Sequence, residues 1–241
     1  MPDASQSTNT LVSQELQKLG TQLDRSLYSK MSREEHNAVI EKMVALVAQP
    51  VGHLPKQEEL YLEQQLTDML GFQVEAELDG NRLQHSIGVM EAQHHLRRHP
   101  TDTLLNHENY REAGLASVRS VFGWFTEQGK MTQLAVQNEK YFFAVQANFV
   151  DSWHKQYQDL MAWYKYRKMI VINPTESKAV VGAVGNFRPA DWLQKQFGGS
   201  PEIIREASIW SLKSRGRVLL FFIDDPKNAV PLGAIDLQKK D

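Results

Sequence analysis

Two runs of β-branched residues separated by a short turn constrain the fold of this chain more than any other feature. Residues 168–173 read KMIVIN and residues 178–184 read KAVVGAV, and both are rich in the Val and Ile that favour strands. The PTES sequence at 174–177 predicts a turn, so the two runs predict a β-hairpin. A third run, RVLLFFI at 217–223, predicts another strand, closed by Asp-Asp-Pro at 224–226.

The connection between the second and third predicted strands is punctuated by Gly and Pro. Residues 185–201 predict a loop, and a short helix is predicted to begin after it at Ser200 and Pro201. Ser caps helix N-termini, and Pro is tolerated at the first helical position. The C-terminal part of the chain is therefore predicted to be a β-rich unit with one short helix.

The first hundred residues carry the apolar spacing of helices. Ser32 and Glu35 form a capping-box pattern that starts one of them, and Pro50 ends it. Gly71 is placed to end the next helix, and a further helix is predicted from about Asn81 to Pro100. The first apolar stripe consists of Val12, Leu16, Leu19, Leu23 and Leu27.

The middle of the chain is rich in aromatic residues. Only three of the 22 aromatic residues lie in the first hundred positions, so composition separates two units. The spacing of Leu134, Phe142 and Phe149 predicts a helix after Thr132. A second helix is predicted around residues 160–163, and residues 120–125 predict a strand or a buried turn.

These patterns predict an α+β protein, in which an N-terminal helical region precedes a small β-barrel-like domain. The predicted division is a disordered arm over 1–10, a helical region over 11–100, an aromatic-rich mixed segment over 101–165 and a barrel domain over 166–241.

Composition excludes several classes of function. A net charge of −2 gives no signal for nucleic-acid binding. The absence of Cys excludes disulfides, thiolate catalysis and Cys-based zinc sites. No run of about 18 apolar residues predicts a membrane span. The polar first ten residues lack the pattern of a signal peptide.

Metal, nucleotide and serine-hydrolase sites are not predicted. Glu91, His95 and His99 would share one face of the predicted helix, but Arg97 and Arg98 place positive charge beside them. A solvated polar helix end is the favoured interpretation, so we predict no metal and no cofactor. Ser-x-x-Lys at 152–155 lacks its partner motifs, and no phosphate-binding glycine loop follows a strand.

Carboxylates and one tryptophan in the predicted loop region are the candidates for chemistry at a sugar. Asp191 and Glu202 are the candidate catalytic acids, because glycan cleavage requires a carboxyl group. A solvated surface carboxylate is the alternative interpretation for each. Trp192 is the candidate platform for stacking on a sugar ring, with a core position as its alternative.

The sequence over 168–223 resembles double-psi β-barrel domains, which occur in rare-lipoprotein-A-like proteins, related lytic transglycosylases and expansin-like proteins. The resemblance is carried by the hairpin VINP…KAVV, the segment VGNFRP at 184–189, a helix and the segment GRVL at 216–219. The segment 109–125 resembles the region before the barrel in related bacterial cell-wall-type proteins. The resemblance implies a groove that faces peptidoglycan or another polysaccharide and a cell-surface or extracellular location.

The resemblance also implies where catalytic acids would lie. The loop Asp of the family falls at Asn186, and the second family carboxylate falls near residues 198–200, which read GGS. Both acids are absent, and an amide cannot transfer the proton that glycan cleavage requires.

Three hypotheses follow. The leading one is a glycan-binding protein in which Asn186, Arg188 and Trp192 contact the polysaccharide beside Asp191, with little or no turnover. The second is a lytic enzyme that uses Asp191 or Glu202. The third is a structural subunit that assembles into homo-oligomers, such as a surface filament or virion component.

Overall fold

The computed structural model describes residues 31–146, 157–187, 195–209 and 215–238. Within these ranges the chain forms five α-helices, which are α1 (Arg33–Val47), α2 (Lys56–Leu70), α3 (Gln133–Lys140), α4 (Tyr157–Tyr164) and α5 (Pro201–Glu206). Short 3-10 turns lie at Leu104–Asn106, Arg111–Ala113 and Pro174–Glu176.

The same ranges contain ten β-strands. They are β1 (Gln73–Glu75), β2 (Glu77–Leu78), β3 (Asn81–Arg82), β4 (Ile87–Ala92), β5 (Phe142–Val145), β6 (Lys168–Asn173), β7 (Lys178–Phe187), β8 (Phe197–Gly199), β9 (Arg215–Asp224) and β10 (Gly233–Asp236). Strands β2 and β3 form a small separate hairpin.

Six of the strands close into a barrel. Their order around the ring is β6, β7, β5, β8, β4 and β9, and β9 pairs with β6 again. The β5·β7 and β4·β8 pairs are parallel, whereas the other four pairs are antiparallel. The protein is therefore an α+β protein in which N-terminal helices precede a closed, mixed six-strand barrel.

The connectivity of this ring has an internal twofold relation. Exchanging the first three ring strands in chain order (β4, β5, β6) with the last three (β7, β8, β9) reproduces every neighbour relation. The exchange also preserves the parallel or antiparallel sense of each pair. The two long strands, β9 and β7, carry additional partners outside the ring, β1 and β10.

Both faces of the central strands are buried, which explains their nearly continuous apolar sequences. Alternate residues, such as Met169, Val171 and Phe222, point into an interior cluster to which all six ring strands contribute. The intervening residues, such as Ile170 and Phe221, pack outside the ring against apolar side chains of α1 and α2. The N-terminal helices therefore cover one outer face of the barrel.

Several local predictions are confirmed. Ser32 and Glu35 form the capping box of α1, and Gly71 ends α2 in a left-handed conformation with φ of 73°. The 168–173 and 178–184 runs form the β6·β7 hairpin. The Ser200 hydroxyl caps α5 by accepting a hydrogen bond from the Ile203 amide.

One helix prediction is wrong, and a second is right in its start but too long. The region from 81 to 100 contains β3 and β4 instead of a helix, because Ile87 and Met90 are core residues of a strand. The helix after Thr132 ends at Lys140, and the Phe142 that was expected within it begins β5. Residues 120–125 form a turn with a bridge from Ser120 to Gly123. Predictions for residues 1–30 lie outside the described residues.

The ring includes two strands, β4 and β5, that precede residue 166, the position at which the barrel domain was predicted to begin. None of the described helices combines the length and apolarity that crossing a membrane requires.

Gly182 tests how tightly the barrel is packed. A Cβ atom there would lie 2.6 Å from the Tyr141 carbonyl oxygen and 2.7 Å from Cε2 of Phe143. We expect Gly182→Ala to lower the free energy of unfolding by about 1–3 kcal/mol, because a backbone atom cannot easily move away. Urea denaturation measures this change. Gly216→Ala is the control, because its nearest neighbour is a side-chain methyl of Ile209 at 3.1 Å. Equal losses in both variants would contradict the packing described.

Candidate functional site

The two ends of the barrel carry different chemistry. Strand β5 runs parallel to β7, with Phe142 beside Ala183 and Val145 beside Phe187. Asn186 therefore lies near the end of β5, and this is called the Asn186 end. Glu139 lies on α3 just before β5 begins, and this is called the Glu139 end.

At the Asn186 end, Asn186 holds a neighbouring segment in place. Its side-chain Oδ1 accepts a hydrogen bond from the Val121 amide at 3.2 Å. Beside it, the Ser120 hydroxyl donates to the Gly185 carbonyl. The side chain of Asn186 is half-buried. Arg188, Asp191 and Trp192 lie outside the described residues, so their predicted roles stay predictions.

A shallow polar depression lies at the same end, where β6 begins and β9 ends. Trp163, Tyr166, Arg167 and Lys168 line it. The guanidinium of Arg167 lies 4.3 Å from the centre of the Trp163 ring, and the Lys165 ammonium lies 5.4 Å from the centre of the Tyr166 ring. Each of these cations therefore lies over an aromatic ring at the depression.

At the Glu139 end, six ionisable side chains are packed together out of contact with solvent. This Glu139 cluster consists of His95, Arg98, Asp102, His107, Glu139 and Glu202. Arg98 is the most exposed of the six, at 6%. Buried ionisable groups are costly unless they are paired, so their mutual contacts determine whether the cluster is stable.

Three parts of the chain bring these groups together. The Thr132 hydroxyl caps α3 by accepting a hydrogen bond from Ala135, and the inward face of the last turn presents Glu139. The Ser200 hydroxyl donates to the Lys140 carbonyl at 2.5 Å, which joins the start of α5 to the end of α3. Glu202 follows in the first turn of α5. The remaining members lie on the segment that follows β4.

Glu139 is at the centre of the cluster. Its Oε2 accepts a hydrogen bond from Nε of Arg98 at 2.8 Å, and a terminal nitrogen of Arg98 makes an ion-pair contact with the same oxygen at 2.8 Å. Its Oε1 accepts a hydrogen bond from the Leu96 amide at 3.1 Å. Burial alone would raise the pKa of Glu139, but the adjacent His107 and His95 and the charge of Arg98 lower it to about 2. Glu139 is therefore a carboxylate at neutral pH.

The two histidines contact Glu139 from different sides. His95 Nδ1 lies 3.5 Å from Oε1, and His107 Nδ1 lies 3.4 Å from Oε2. Their other ring nitrogens contact the Tyr110 carbonyl at 3.2 Å and the Asp102 carboxylate at 3.1 Å, respectively. Burial lowers the pKa of His95, but Glu139 and Glu202 outweigh this effect, so that the pKa is raised.

Glu202 is buried but poorly paired. Its Oε2 lies 3.9 Å from His95 Nδ1, and neither atom has a hydrogen-bond partner among the described residues. Burial raises the pKa of Glu202 to about 7. The charge of His95 acts to lower this pKa, whereas the charge of Glu139 acts to raise it. The predicted catalytic acid Glu202 thus faces His95 and Glu139, while solvent reaches only 1% of the residue.

The cluster has the elements of an acid–base centre. Two carboxyl groups have pKa values on opposite sides of their ordinary value, and one imidazole lies between them. His95, His107 and Glu139 also present donor atoms that lie within 4.8 Å of one another, which is the spacing of a possible metal site. The structure therefore brings Glu202 into a cluster with residues that were not predicted, and places it near the opposite end of β5 from Asn186.

The expected alignment of Glu91, His95 and His99 on one helix is wrong. Strand β4 ends at Ala92, and Glu91 pairs with Lys195 instead of facing a metal. Sequence reasoning missed Glu139 and His107, because burial of a charged side chain leaves no local pattern. The only signal was the unusual density of His and Arg after β4.

Comparison with known proteins gives no match for this chain among family models, curated proteins or solved structures.

Glu139 tests whether the cluster stabilises the fold. We expect Glu139→Ala to lower the free energy of unfolding by about 3–5 kcal/mol, because it leaves the Arg98 guanidinium buried without its partner. Glu108→Ala is the control, because Glu108 forms an ion pair with Lys140 at 2.9 Å but is 78% exposed. Its loss should cost at most about 1 kcal/mol. Urea denaturation with a chelator present measures both, and similar small losses would contradict a central role for Glu139.

Proposed function

We propose that this protein binds a cell-wall glycan of the peptidoglycan type at the Asn186 end of its barrel, without cleaving it. The polysaccharide would be held by ring stacking and hydrogen bonds. The observation that carries the proposal is the combination of aromatic faces and cations where β6, β7 and β9 meet, at the end that contains Asn186.

The barrel supports the proposal through its connectivity. We propose that it is a double-psi barrel, the fold that the VINP…KAVV hairpin and the VGNFRP segment resemble. Two interlocked halves of three strands would give the internal twofold relation of the ring, including its two parallel pairs. The family resemblance associates this fold with proteins that face polysaccharide and lie at the cell surface.

The chemistry of the depression also supports sugar binding. Aromatic rings stack on the apolar faces of sugars, and cations attract the carboxylates that peptidoglycan carries. The side chains of Trp163, Tyr166 and Arg167 are only partly buried. Arg188 and Trp192 follow β7 in the sequence and lie outside the described residues, and we propose that they extend this surface.

The proposal of binding without turnover depends on residue 186. The resemblance implies an acid at this position, but Asn186 has an amide, whose oxygen is already occupied by the Val121 amide. Glu202 is buried near the other end of β5. The lytic alternative retains Asp191 and Glu202 as its candidate acids, and release of soluble muropeptides would identify it.

Sedimentation with purified peptidoglycan tests the proposed function. We expect the parent protein to pellet with the polymer, and Trp192→Ala and Arg167→Gln each to weaken binding about three- to tenfold. Such a loss corresponds to about 0.7–1.4 kcal/mol, typical of one ring or one cation.

Lys178→Gln is the matched control for charge. Lys178 forms an ion pair with Asp236 at 3.2 Å at the beginning of β7, about 25 Å of strand from Asn186. The binding of the Lys178→Gln variant to peptidoglycan should equal that of the parent protein. Negligible pelleting of every variant would refute glycan binding, and equal binding by all variants would refute the proposed surface.

A structural, self-assembling role is the second candidate, because the described chain leaves large apolar side chains exposed. Leu105 is 78% exposed and Val118 is 65% exposed. Exposed apolar side chains favour contacts between copies when they form a patch. If assembly is the function, light scattering will show a mass that rises with concentration, and Leu105→Ser with Val118→Ser will reduce it. A monodisperse monomer at high concentration would contradict this role.

A further inference from the structure

We propose that the Glu139 cluster is a binding site for a divalent transition metal ion such as Zn²⁺, held by His95, His107 and Glu139 with Glu202 as the nearest additional ligand. The site lies at the other end of the barrel from the glycan-binding surface and is independent of it. Four features of the cluster support the site: its unpaired acceptor atoms, the orientation of both imidazoles, the distances between ligand atoms and the charge.

Two buried acceptor atoms of the cluster, His95 Nδ1 and Glu202 Oε2, have no hydrogen-bond donor among the described residues. The Tyr110 carbonyl can only accept, so Nε2 of His95, 3.2 Å away, carries a hydrogen. In neutral His95, Nδ1 therefore presents a lone pair toward Oε1 of Glu139 and Oε2 of Glu202. Carboxylate oxygens also only accept. Oε1 of Glu139 already accepts a hydrogen bond from the Leu96 amide, so a cation between these atoms would supply a partner to the two that lack one, His95 Nδ1 and Glu202 Oε2.

The second argument is the orientation of both imidazoles. A histidine that binds a metal usually donates its other ring N–H to a carboxylate or a backbone carbonyl. His107 has Nε2 3.1 Å from Asp102, and His95 has the Tyr110 carbonyl in the equivalent position. Both rings are thus held with Nδ1 directed at Glu139.

The third argument is distance. Zn–N and Zn–O bonds of about 2.0–2.2 Å place ligand atoms of a tetrahedral site about 3.3–3.5 Å apart. His95 Nδ1 lies 3.5 Å from Oε1 of Glu139 and His107 Nδ1 lies 3.4 Å from Oε2, so each contact matches this spacing through a different oxygen. Glu202 Oε2 lies 3.9 Å from His95 Nδ1 and needs only a small shift. Two His and one Glu form a ligand set that Zn²⁺ uses with an open fourth position.

The fourth argument is charge. The carboxyl groups of Asp102, Glu139 and Glu202 face a single guanidinium, that of Arg98, inside a buried volume. A divalent cation would offset the remaining negative charge when all three are ionised. The ammonium of Lys140, whose side chain is largely buried, pairs with the exposed carboxylate of Glu108 at 2.9 Å.

Arg98 is the competitor for the same space. Its terminal nitrogen lies 3.3 Å from His107 Nδ1, a long contact, while its Nε hydrogen bond and its terminal-nitrogen ion-pair contact to Glu139 Oε2 are both 2.8 Å. Metal binding therefore requires His107 to exchange the Arg98 contact for the ion. Oε1 of Glu139 remains on the His95 side, where no guanidinium contact is described.

The site is tested by titrating the chelator-treated full chain with ZnCl₂ and measuring the heat of binding by calorimetry. We expect one Zn²⁺ per chain with a Kd of about 10 μM or tighter, and a rise in the melting temperature at saturating Zn²⁺. His95→Ala and Glu202→Gln should each weaken binding at least about tenfold, as loss of metal-site partners does. His94→Ala is the control, because His94 is the adjacent but exposed histidine, and its affinity should be unchanged.

Glu202→Gln keeps the size and shape of the side chain, so it decides the matter if His95→Ala fails to fold. Absence of saturable binding at one equivalent would overturn the proposal. Affinity that is unchanged in Glu202→Gln would likewise overturn it, and affinity lost in His94→Ala would show that Zn²⁺ binds at the surface instead. Glycan pelleting in the presence of a chelator keeps the two proposals separate.

Discussion

Closure of the six-strand ring is the constraint on which the rest of this structure depends. Each ring strand has hydrogen-bonding partners on both sides, so the barrel leaves few unpaired backbone groups on the central strands. Strands β7 and β9 are each ten residues long, so β7 extends beyond β5 to pair with β10, and β9 extends beyond β4 to pair with β1. The two ends of the barrel, with their different side chains, are set by where the shorter strands stop.

The sequence predicted the parts of the fold that have strong local signals. The capping box of Ser32 and the β6·β7 hairpin could be recognised from adjacent residues. Strand β8 could not, because it contains Gly198 and Gly199, whose missing side chains leave room for Gln93 and Ile203. Strand β4 was mistaken for a helix, since Leu83, Ile87 and Met90 happen to repeat at helical spacing while the core contacts follow a strand.

The candidate sites were predictable to different degrees. Asn186 was predicted through a family resemblance, and it lies near the end of β7. The Glu139 cluster was not predicted, because it unites residues 95 to 202 through long-range packing. A single sequence shows neither which carboxylates are buried nor that Glu139 is paired with Arg98 while Glu202 is not.

Strand β9 has a consequence for how the chain reaches this fold. It pairs with β4, β6 and β1, and its outer face packs against α1 and α2. During synthesis, the earlier strands and helices leave the ribosome first. Their apolar surfaces stay uncovered until residues 215–224 have been synthesised. Folding is thus late and dominated by contacts distant in sequence, which is slow and favours chaperone engagement during synthesis.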